Sequence, residues 1–303
     1  GVPVICQLAH GGIQTTTAVT GMDVVAPSAF QSKVYRNQAR ELSETEIRAL
    51  ITDFASAVKR AKDAGFDGVQ FHCAHGYLLS TFLSPYANKR NDKWGGTTGN
   101  RFRIMAEIID AARDLVGGYP LLVKLTTHEG HAGGIDLSEG IRLAELFQEK
   151  GIDALEVSCG GVDDGFNTIR VPRLPTEAML HFFPGMDRLP TFQKLLVKTF
   201  APLKVKRHQP IHLYNVSASH AIKQHLDIPV MVVGGIRSRE EMASILENAQ
   251  SDYISLCRPL IIEPNLVNKL KTGRQDRSKC IECGYCLMGI ISQPLRCYYG
   301  KLN

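Results

Sequence analysis

The strongest constraint on the fold is an alternation of short apolar segments with amphipathic helical segments along the chain. Six segments have the length and apolar character of buried strands, and they are residues 2–8, 68–71, 121–125, 153–157, 229–233 and 253–256. Helical spacing of apolar residues predicts the helices, which are 44–62, 101–115, 138–150, a segment that begins at Ser217, and 239–246. This order predicts an α/β fold with a parallel sheet covered by helices. Ser43 and Glu46 form a capping box at the start of the first helix, and Ser138 is the expected cap of the third. Residues 13–42 are polar and irregular, so we expect a long loop there.

Two architectures satisfy this alternation, an open doubly wound sheet and a (β/α)8 barrel. No G-x-G-x-x-G motif follows any predicted strand, which weakens the dinucleotide-binding version of the open sheet. The fifth strand ends in Gly234 and Gly235, and Arg258 follows the sixth strand. Glycine pairs and arginines at the ends of the last two strands are typical of a barrel phosphate site. The pattern therefore favours the barrel.

Composition places the chain among ordinary globular proteins. It has 303 residues, of which 44% are hydrophobic and 21% are charged, and its net charge is +5. One denser basic run, 269–279, lacks the interleaved aromatic residues of a single-strand nucleic-acid site, so we interpret it as a solvated helix end or linker. The sequence shows neither an apolar stretch long enough for a bilayer nor a secretory signal before residue 1. We expect a cytoplasmic protein without nucleic-acid or membrane partners.

Two histidines and a tyrosine follow the second predicted strand. His72, His75 and Tyr77 should lie at its carboxyl end, where parallel α/β folds bind their ligands. Two imidazoles and a phenol can hold a carbonyl oxygen and deliver a proton nearby. By themselves, two histidines three residues apart also fit a metal pair or a structural role.

A longer motif surrounds these residues. The segment reads H-C-A-H-G-Y-L at 72–78 and F-L-S-P at 82–85, and the further matching residues are Asn88, Arg90, Asp92, Trp94, Gly95, Gly96, Asn100 and Arg101. The whole segment resembles the Old Yellow Enzyme family, the NADH:flavin oxidoreductases. This resemblance implies a (β/α)8 barrel that binds FMN across its mouth, accepts hydride from NAD(P)H and reduces an electron-poor alkene.

The resemblance also implies roles for single residues. His72 and His75 would hold the carbonyl oxygen of an α,β-unsaturated substrate, and Tyr77 would donate the proton at the α-carbon. The residues implied in cofactor binding are Gln7 at the flavin pyrimidine edge, Lys124 near the flavin N1 and C2 carbonyl, and Gly234, Gly235, Cys257 and Arg258 around the phosphate. Lys124 replaces the arginine of many relatives, and Cys257 stands where the family usually has glycine.

Four cysteines crowd the end of the chain. Cys280, Cys283, Cys286 and Cys297 have the spacing C-x2-C-x2-C-x10-C, which is typical of a metal or iron–sulfur site. Zinc or four free thiols are the alternatives. The cluster resembles that of the dienoyl-CoA reductase branch of the same family, which carries a [4Fe–4S] cluster, although each of two spacings is one residue shorter here.

The strand count falls short of a complete barrel. Six strands are found where eight are needed, and in the family about a hundred preceding residues supply the first two. We therefore expect a barrel truncated before its third strand, formed by residues 1–270, and a Cys-rich extension over 271–303. The leading function is a flavin-dependent ene-reductase. Its assembly, as a monomer or a homo-oligomer, stays open. The alternatives are a flavin-free isomerase or lyase that uses His72, His75 and Tyr77, and a degenerate barrel that only binds a ligand.

Overall fold

A parallel sheet forms the centre of the protein. The computed structural model describes residues 1–33, 36–165, 168–204 and 210–302. Within these ranges the strands are β1 (Ile5–Leu8), β2 (Val25–Ala26), β3 (Phe30–Gln31), β4 (Gln38–Glu41), β5 (Gly68–Cys73), β6 (Leu121–Thr126), β7 (Ala154–Ser158), β8 (Val230–Val233) and β9 (Tyr253–Ser255). Six of them form one sheet in the order β1-β5-β6-β7-β8-β9, and the pairs from β1 to β8 are parallel. All six predicted strands are confirmed.

Helices connect these strands. In the described part of the chain they are α1 (Thr17–Thr20), α2 (Glu44–Asp63), α3 (Leu78–Leu83), α4 (Thr98–Val116), α5 (Leu137–Glu149), α6 (Thr176–Phe182), α7 (Thr191–Lys204), α8 (Val216–Lys223), α9 (Arg239–Glu247), α10 (Arg258–Ile262), α11 (Leu266–Lys271) and α12 (Tyr285–Gly289). The helix α2 begins with a capping box between Ser43 and Glu46. The helix α5 is capped by Asp136, so the prediction of Ser138 as its cap was wrong. None of the described helices is long and apolar enough to span a membrane.

The two faces of the sheet differ in polarity because successive side chains of a strand alternate in direction. Val69, Phe71, Val123, Leu125 and Leu155 belong to the main core with the apolar faces of α2, α4 and α5. The alternate positions carry polar side chains, which are Gln70, His72, Lys124, Glu156 and Ser158. The sequence thus builds a helix-covered apolar face and a polar face on the same three strands, β5, β6 and β7.

A second, small sheet lies in a region that was predicted to be an irregular loop. The strands β2, β4 and β3 pair in that order within residues 25–41. Each strand has two to four residues, too short for a periodic pattern to be recognised in the sequence. This sheet packs around Ile13, Val24, Ala26 and Ala39 as a separate apolar cluster.

The chain forms two compact units. Unit 1 consists of Gly1–Thr168, Asn215–Val232 and Ala249–Tyr253, and unit 2 of Ile169–Tyr214, Val233–Asn248 and Ile254–Asn303. The Cys-rich extension therefore lies in unit 2 together with α6, α7, α9 and α10. The predicted domain boundary after residue 270 stays a prediction.

Candidate active site

His72, His75 and Tyr77 come together where β5 ends. His72 lies on the polar face of the strand, a turn at 74–76 follows, and Tyr77 is the N-cap of α3. The turn requires left-handed backbone at His75 (φ 63°) and at Gly76 (φ 78°). A Cβ atom at Gly76 would collide with the backbone of Val162, so only glycine fits this position.

The ring of His72 contacts the rings of His75 and Tyr77 edge to face. The ring centroid of His72 lies 5.0 Å from that of His75 and 4.7 Å from that of Tyr77. The backbone N–H of Ala74 donates to Nδ1 of His72 over 3.4 Å, which leaves the proton of a neutral ring on Nε2. The Nε2 atom of His75 lies 2.7 Å from the hydroxyl oxygen of Ser158.

Both histidines are held in the neutral form. Burial lowers the pKa of His72 to about 4, and the nearby charge of Lys124 adds to this effect. Burial also lowers the pKa of His75 well below its usual range, with smaller contributions from His72 and Lys124. Each ring therefore offers one N–H donor at neutral pH and carries no charge.

A row of polar side chains crosses four neighbouring strands beside these rings. Gln7 on β1 donates to Gln70 over 2.6 Å, and Gln70 donates to Glu156 over 2.8 Å. The ammonium group of Lys124 lies 3.3 Å from the same carboxylate. Gln7 and Lys124, the two flavin contacts predicted in this unit, are thus linked through Gln70 and Glu156. Neither linking residue was predicted, although a glutamate inside the apolar strand β7 was an available signal.

A buried acidic cluster supports the loops that follow β6 and β7. The Glu129 carboxylate accepts hydrogen bonds from the Ser84 hydroxyl and the Ile135 backbone N–H, both within 2.9 Å. Asp164 accepts from the backbone N–H of Gly130 and of Gly161. Burial raises the pKa of Glu129 to about 7. This cluster was also missed, because its members are distant in sequence.

The second half of the long motif is structural. The amide of Asn88 donates to the carbonyl oxygens of Phe82 and Trp94, each over 2.8 Å. Arg90 donates to the carbonyl oxygens of Pro27 and Leu42 and pairs with Asp92. Arg101 pairs with the buried Glu139. These side chains fix the loop between α3 and α4.

The predicted phosphate residues lie in unit 2. Gly234 has a φ of 143° and Gly235 a φ of 69°, and a Cβ atom at Gly235 would lie 2.5 Å from the carbonyl oxygen of Ile211. Arg258 begins α10 and donates to the carbonyl oxygens of Arg170 and Glu282, each over 3.3 Å. Cys257 is exposed and precedes this helix. The glycine backbone, which no side chain covers, and the guanidinium group of Arg258 are thus available to bind an anion.

A buried carboxylate faces the same arginine. One Glu282 oxygen lies 3.5 Å from Arg258, and the other lies 3.7 Å from Arg237 and 3.2 Å from His212. The Glu282 side chain is 3% exposed. Its φ of 60° is unusual for a residue with a side chain. Glu282 and Arg237 were not predicted, because a charge pair of this kind has no sequence signature.

The four C-terminal cysteines line one small cavity. Cys280, Cys283, Cys286 and Cys297 border a space of about 30 Å³, together with Arg258 and Glu282. All four are thiols without disulfides. Among the described residues, no three His, Cys, Asp or Glu side chains are grouped closely enough to hold a single metal ion. The four cysteines predicted as metal ligands therefore lie around one cavity.

The sequence agrees with one protein family over most of its length. The family model described as NADH:flavin oxidoreductase / NADH oxidase matches residues 1–163 and 187–277. The chain belongs to this family. The predicted resemblance to the Old Yellow Enzyme family is thereby confirmed, and the predictions of FMN and of a nicotinamide hydride donor agree with it.

Individual relatives support the same assignment. The chain is 33% identical to an NADH oxidase of Thermoanaerobacter brockii over 98% of its own length and 41% of that protein. It is 31% identical to an NADPH dehydrogenase of Geobacillus sp. (strain WCH70) over 87% of its length and 64% of that protein. The chain thus spans less than two thirds of either relative.

The fold agrees with solved structures of the family. An old yellow enzyme homologue from Zymomonas mobilis superposes with a TM-score of 0.68 and 26% identity, over 93% of this chain and 70% of that one. The α/β fold with a parallel sheet is therefore that of the family.

Proposed function

We propose that the protein is an FMN-dependent oxidoreductase that uses NAD(P)H to reduce the C=C bond of an α,β-unsaturated carbonyl compound. The observation that carries this proposal is the pair of neutral imidazoles of His72 and His75 beside Tyr77 at the end of β5. The relatives named NADH oxidase and NADPH dehydrogenase support the nicotinamide donor.

The residues present fit a flavin phosphate. At Gly235 the backbone packs so closely against Ile211 that a side chain is excluded, and Arg258 supplies a guanidinium group. In the described part of the chain, the buried Nε of Arg237 has no hydrogen-bond partner, which marks unused donor capacity in the same unit. Gln7 and Lys124 would contact the flavin ring. When bound, FMN would take hydride from the nicotinamide and deliver it to the β-carbon of the alkene.

The histidines would bind and polarise the substrate. The Nε2–H of His72 would donate to the substrate's carbonyl oxygen, and His75 would supply the second donor. Charge develops on this oxygen as the C=C bond is reduced, so fixed donors stabilise the transition state more than the ground state. Because both rings are neutral, they supply hydrogen bonds without protonating the oxygen outright.

Tyr77 would complete the reaction by donating its phenolic proton to the α-carbon. Its ring packs against His72, so it would lie beside a substrate bound to the histidines. The half-buried side chain can regain the proton from solvent.

We also propose that residues 1–270 form part of an eight-stranded barrel of the family type. The six strands of the main sheet would then correspond to barrel strands three to eight.

The Cys-rich extension at 271–303 would hold an iron–sulfur cluster. Its four cysteines border one cavity, and four thiolates are the ligand set of a [4Fe–4S] cluster. The alignment with the NADH oxidase covers 98% of the chain and so extends into this segment.

Two experiments test these proposals. In the first, consumption of NADH or NADPH should require both FMN and an α,β-unsaturated ketone, and the product should be the saturated ketone. Conversion of the ketone without FMN and without consumption of NAD(P)H would favour the flavin-free isomerase or lyase alternative. In the second, anaerobically purified protein should contain iron and inorganic sulfide. Stoichiometric zinc without sulfide would refute the iron–sulfur assignment.

A further inference from the structure

The carboxylate of Glu282 lies next to two arginines, in the kind of environment that binds an anionic ligand. It comes from the Cys-rich extension, between Cys280 and Cys283, and its side chain is buried at 3% exposure. Three cationic or titratable groups face it: Arg258, Arg237 and His212. The side chains of Arg258 and Arg237 are themselves only 10% and 12% exposed. We call Gly234, Gly235, Arg237 and Arg258 the phosphate cradle, since they are the residues proposed to bind the phosphate of the cofactor. The buried carboxylate of Glu282 thus lies next to both arginines of this cradle.

The cradle and the carboxylate belong to one set of contacts within unit 2. The Cα atom of His212 lies 2.9 Å from the position that a Cβ atom of Gly235 would take. Arg237 follows Gly235 by two residues and donates to the ring of His212 over 3.1 Å. Glu282 in turn lies 3.2 Å from the same ring. The glycine turn, both arginines and Glu282 therefore adjoin one another.

The carboxylate satisfies these arginines incompletely. Its distances of 3.5 Å to Arg258 and 3.7 Å to Arg237 exceed the length of about 2.8 Å that charge-assisted hydrogen bonds favour. Within the described residues, one oxygen of Glu282 and the Nε of Arg237 are buried without a hydrogen-bond partner. A phosphate offers three acceptor oxygens and a larger charge than a carboxylate, so it would pair better with the same donors.

Backbone contacts explain why Glu282 stays in this position. Arg237 donates to the carbonyl oxygen of Cys280 over 3.0 Å, and Arg258 donates to that of Glu282 over 3.3 Å. These bonds hold residues 280–282 against the arginines while Glu282 adopts its left-handed conformation.

We propose that Glu282 is an internal counter-anion that competes with the phosphate of the cofactor for Arg237 and Arg258. It thereby sets how strongly the protein prefers FMN to riboflavin, which has the same ring system without phosphate. This inference rests on the proposed function, because it takes the cradle to be the FMN phosphate site.

Replacement of the carboxylate by its neutral isostere tests the proposal. The flavin is removed from wild type and Glu282→Gln, and each protein is titrated with FMN and with riboflavin while flavin fluorescence is followed. We expect Glu282→Gln to bind FMN about tenfold more tightly and riboflavin with unchanged affinity, since only FMN gains from the released arginines. Glu282→Asp keeps the charge on a shorter side chain and should fall between the two, which also guards against a folding defect in the first variant.

A matched control removes one negative charge elsewhere in the same unit. Glu177 is exposed and pairs with Lys198 and Tyr285 rather than with the arginines, so Glu177→Gln should leave the binding of both flavins unchanged. Equal iron content in all variants shows that the cysteine cavity is intact.

The outcomes separate this inference from the proposed function. Weaker FMN binding in Glu282→Gln would overturn the inference and show that Glu282 positions the arginines instead. An equal change for FMN and riboflavin would overturn it too, because the effect would not involve the phosphate. If wild type and all variants bind neither flavin, the proposed function fails and the inference falls with it.

Discussion

Lys124 and Glu156 face each other across β6 and β7, and their charged groups lie 3.3 Å apart on the polar face of the sheet. The Glu156 carboxylate also accepts a hydrogen bond from Gln70, so the lysine shares its counter-ion with an amide. Lys124 also helps to keep both histidines neutral. One ion pair thus adjusts the charge next to the histidines and at the proposed flavin site.

The first prediction concerns this pair. Glu156→Gln should raise the midpoint potential of bound FMN by about 30 mV, because the unpaired ammonium of Lys124 then stabilises the reduced, anionic flavin by about 1.4 kcal/mol. Lys124→Met should shift the potential in the opposite direction. Spectroelectrochemical titration measures both. Identical potentials in wild type and the two variants would show that Lys124 does not act on the flavin.

The histidine pair should affect alkene reduction rather than flavin reduction. His72→Ala and His75→Ala should each slow reduction of an unsaturated ketone about 10²–10³-fold, since each removes a donor to the developing oxyanion. Reduction of FMN by NAD(P)H should change much less. Ser158→Ala is the control, because it removes the partner of His75 and leaves both imidazoles in place. Rapid-mixing measurement of the two half-reactions separates these effects, and equal slowing of both would contradict the assigned role.

Burial of His72 should make the protein less stable in acid. Its pKa is about 4 in the folded protein and about 6.5 in the unfolded chain, so between these values the unfolded chain binds more protons. The free energy of unfolding should therefore fall as the pH drops from 6.5 to 4, by about 3 kcal/mol from this group. His72→Gln should lose this part of the pH dependence. Urea unfolding at pH 7.5 and pH 5 measures it, and equal pH dependence in the variant would contradict the assigned pKa.

Burial of Glu129 should make the protein more stable in acid, which is the opposite of the effect of His72. Its pKa is about 7 in the folded protein and about 4.5 when unfolded, so the folded protein binds more protons between these values. Stability should therefore fall by about 3 kcal/mol as the pH rises from 4.5 to 7. Glu129→Gln keeps an acceptor oxygen for Ser84 and Ile135 and should remove this loss. Measured against wild type, the variant should gain stability as the pH rises, and a loss would show that the carboxylate is ionised in the folded protein.

The sequence predicted the parts of the molecule that depend on local patterns. Each of the six main strands is a short apolar segment, and α2 was predicted together with its capping box because both signals lie within a few consecutive residues. The position of His72, His75 and Tyr77 at the end of β5 was predicted from local patterns of the same kind. The small β2-β4-β3 sheet was missed because strands of two to four residues carry no periodicity.

The interactions that tune the site could not be predicted, because they join distant residues. Glu156 meets Lys124 only through the register of β6 and β7. Glu129 becomes a buried acid only when its loop folds over Ser84. Glu282 lies beside Arg258 although 24 residues separate them in the chain. Charge pairing of this kind depends on tertiary packing, which composition and spacing do not encode.

An anaerobic double-mixing experiment tests the central claim most directly. FMN-loaded protein is first mixed with NADH or NADPH and then with an α,β-unsaturated ketone, while flavin absorbance is recorded. We predict that the nicotinamide removes the absorbance and that the ketone restores it, with one saturated product formed per flavin. Failure of both nicotinamides to reduce the flavin, or reoxidation that is no faster with ketone than without it, would contradict the proposed function.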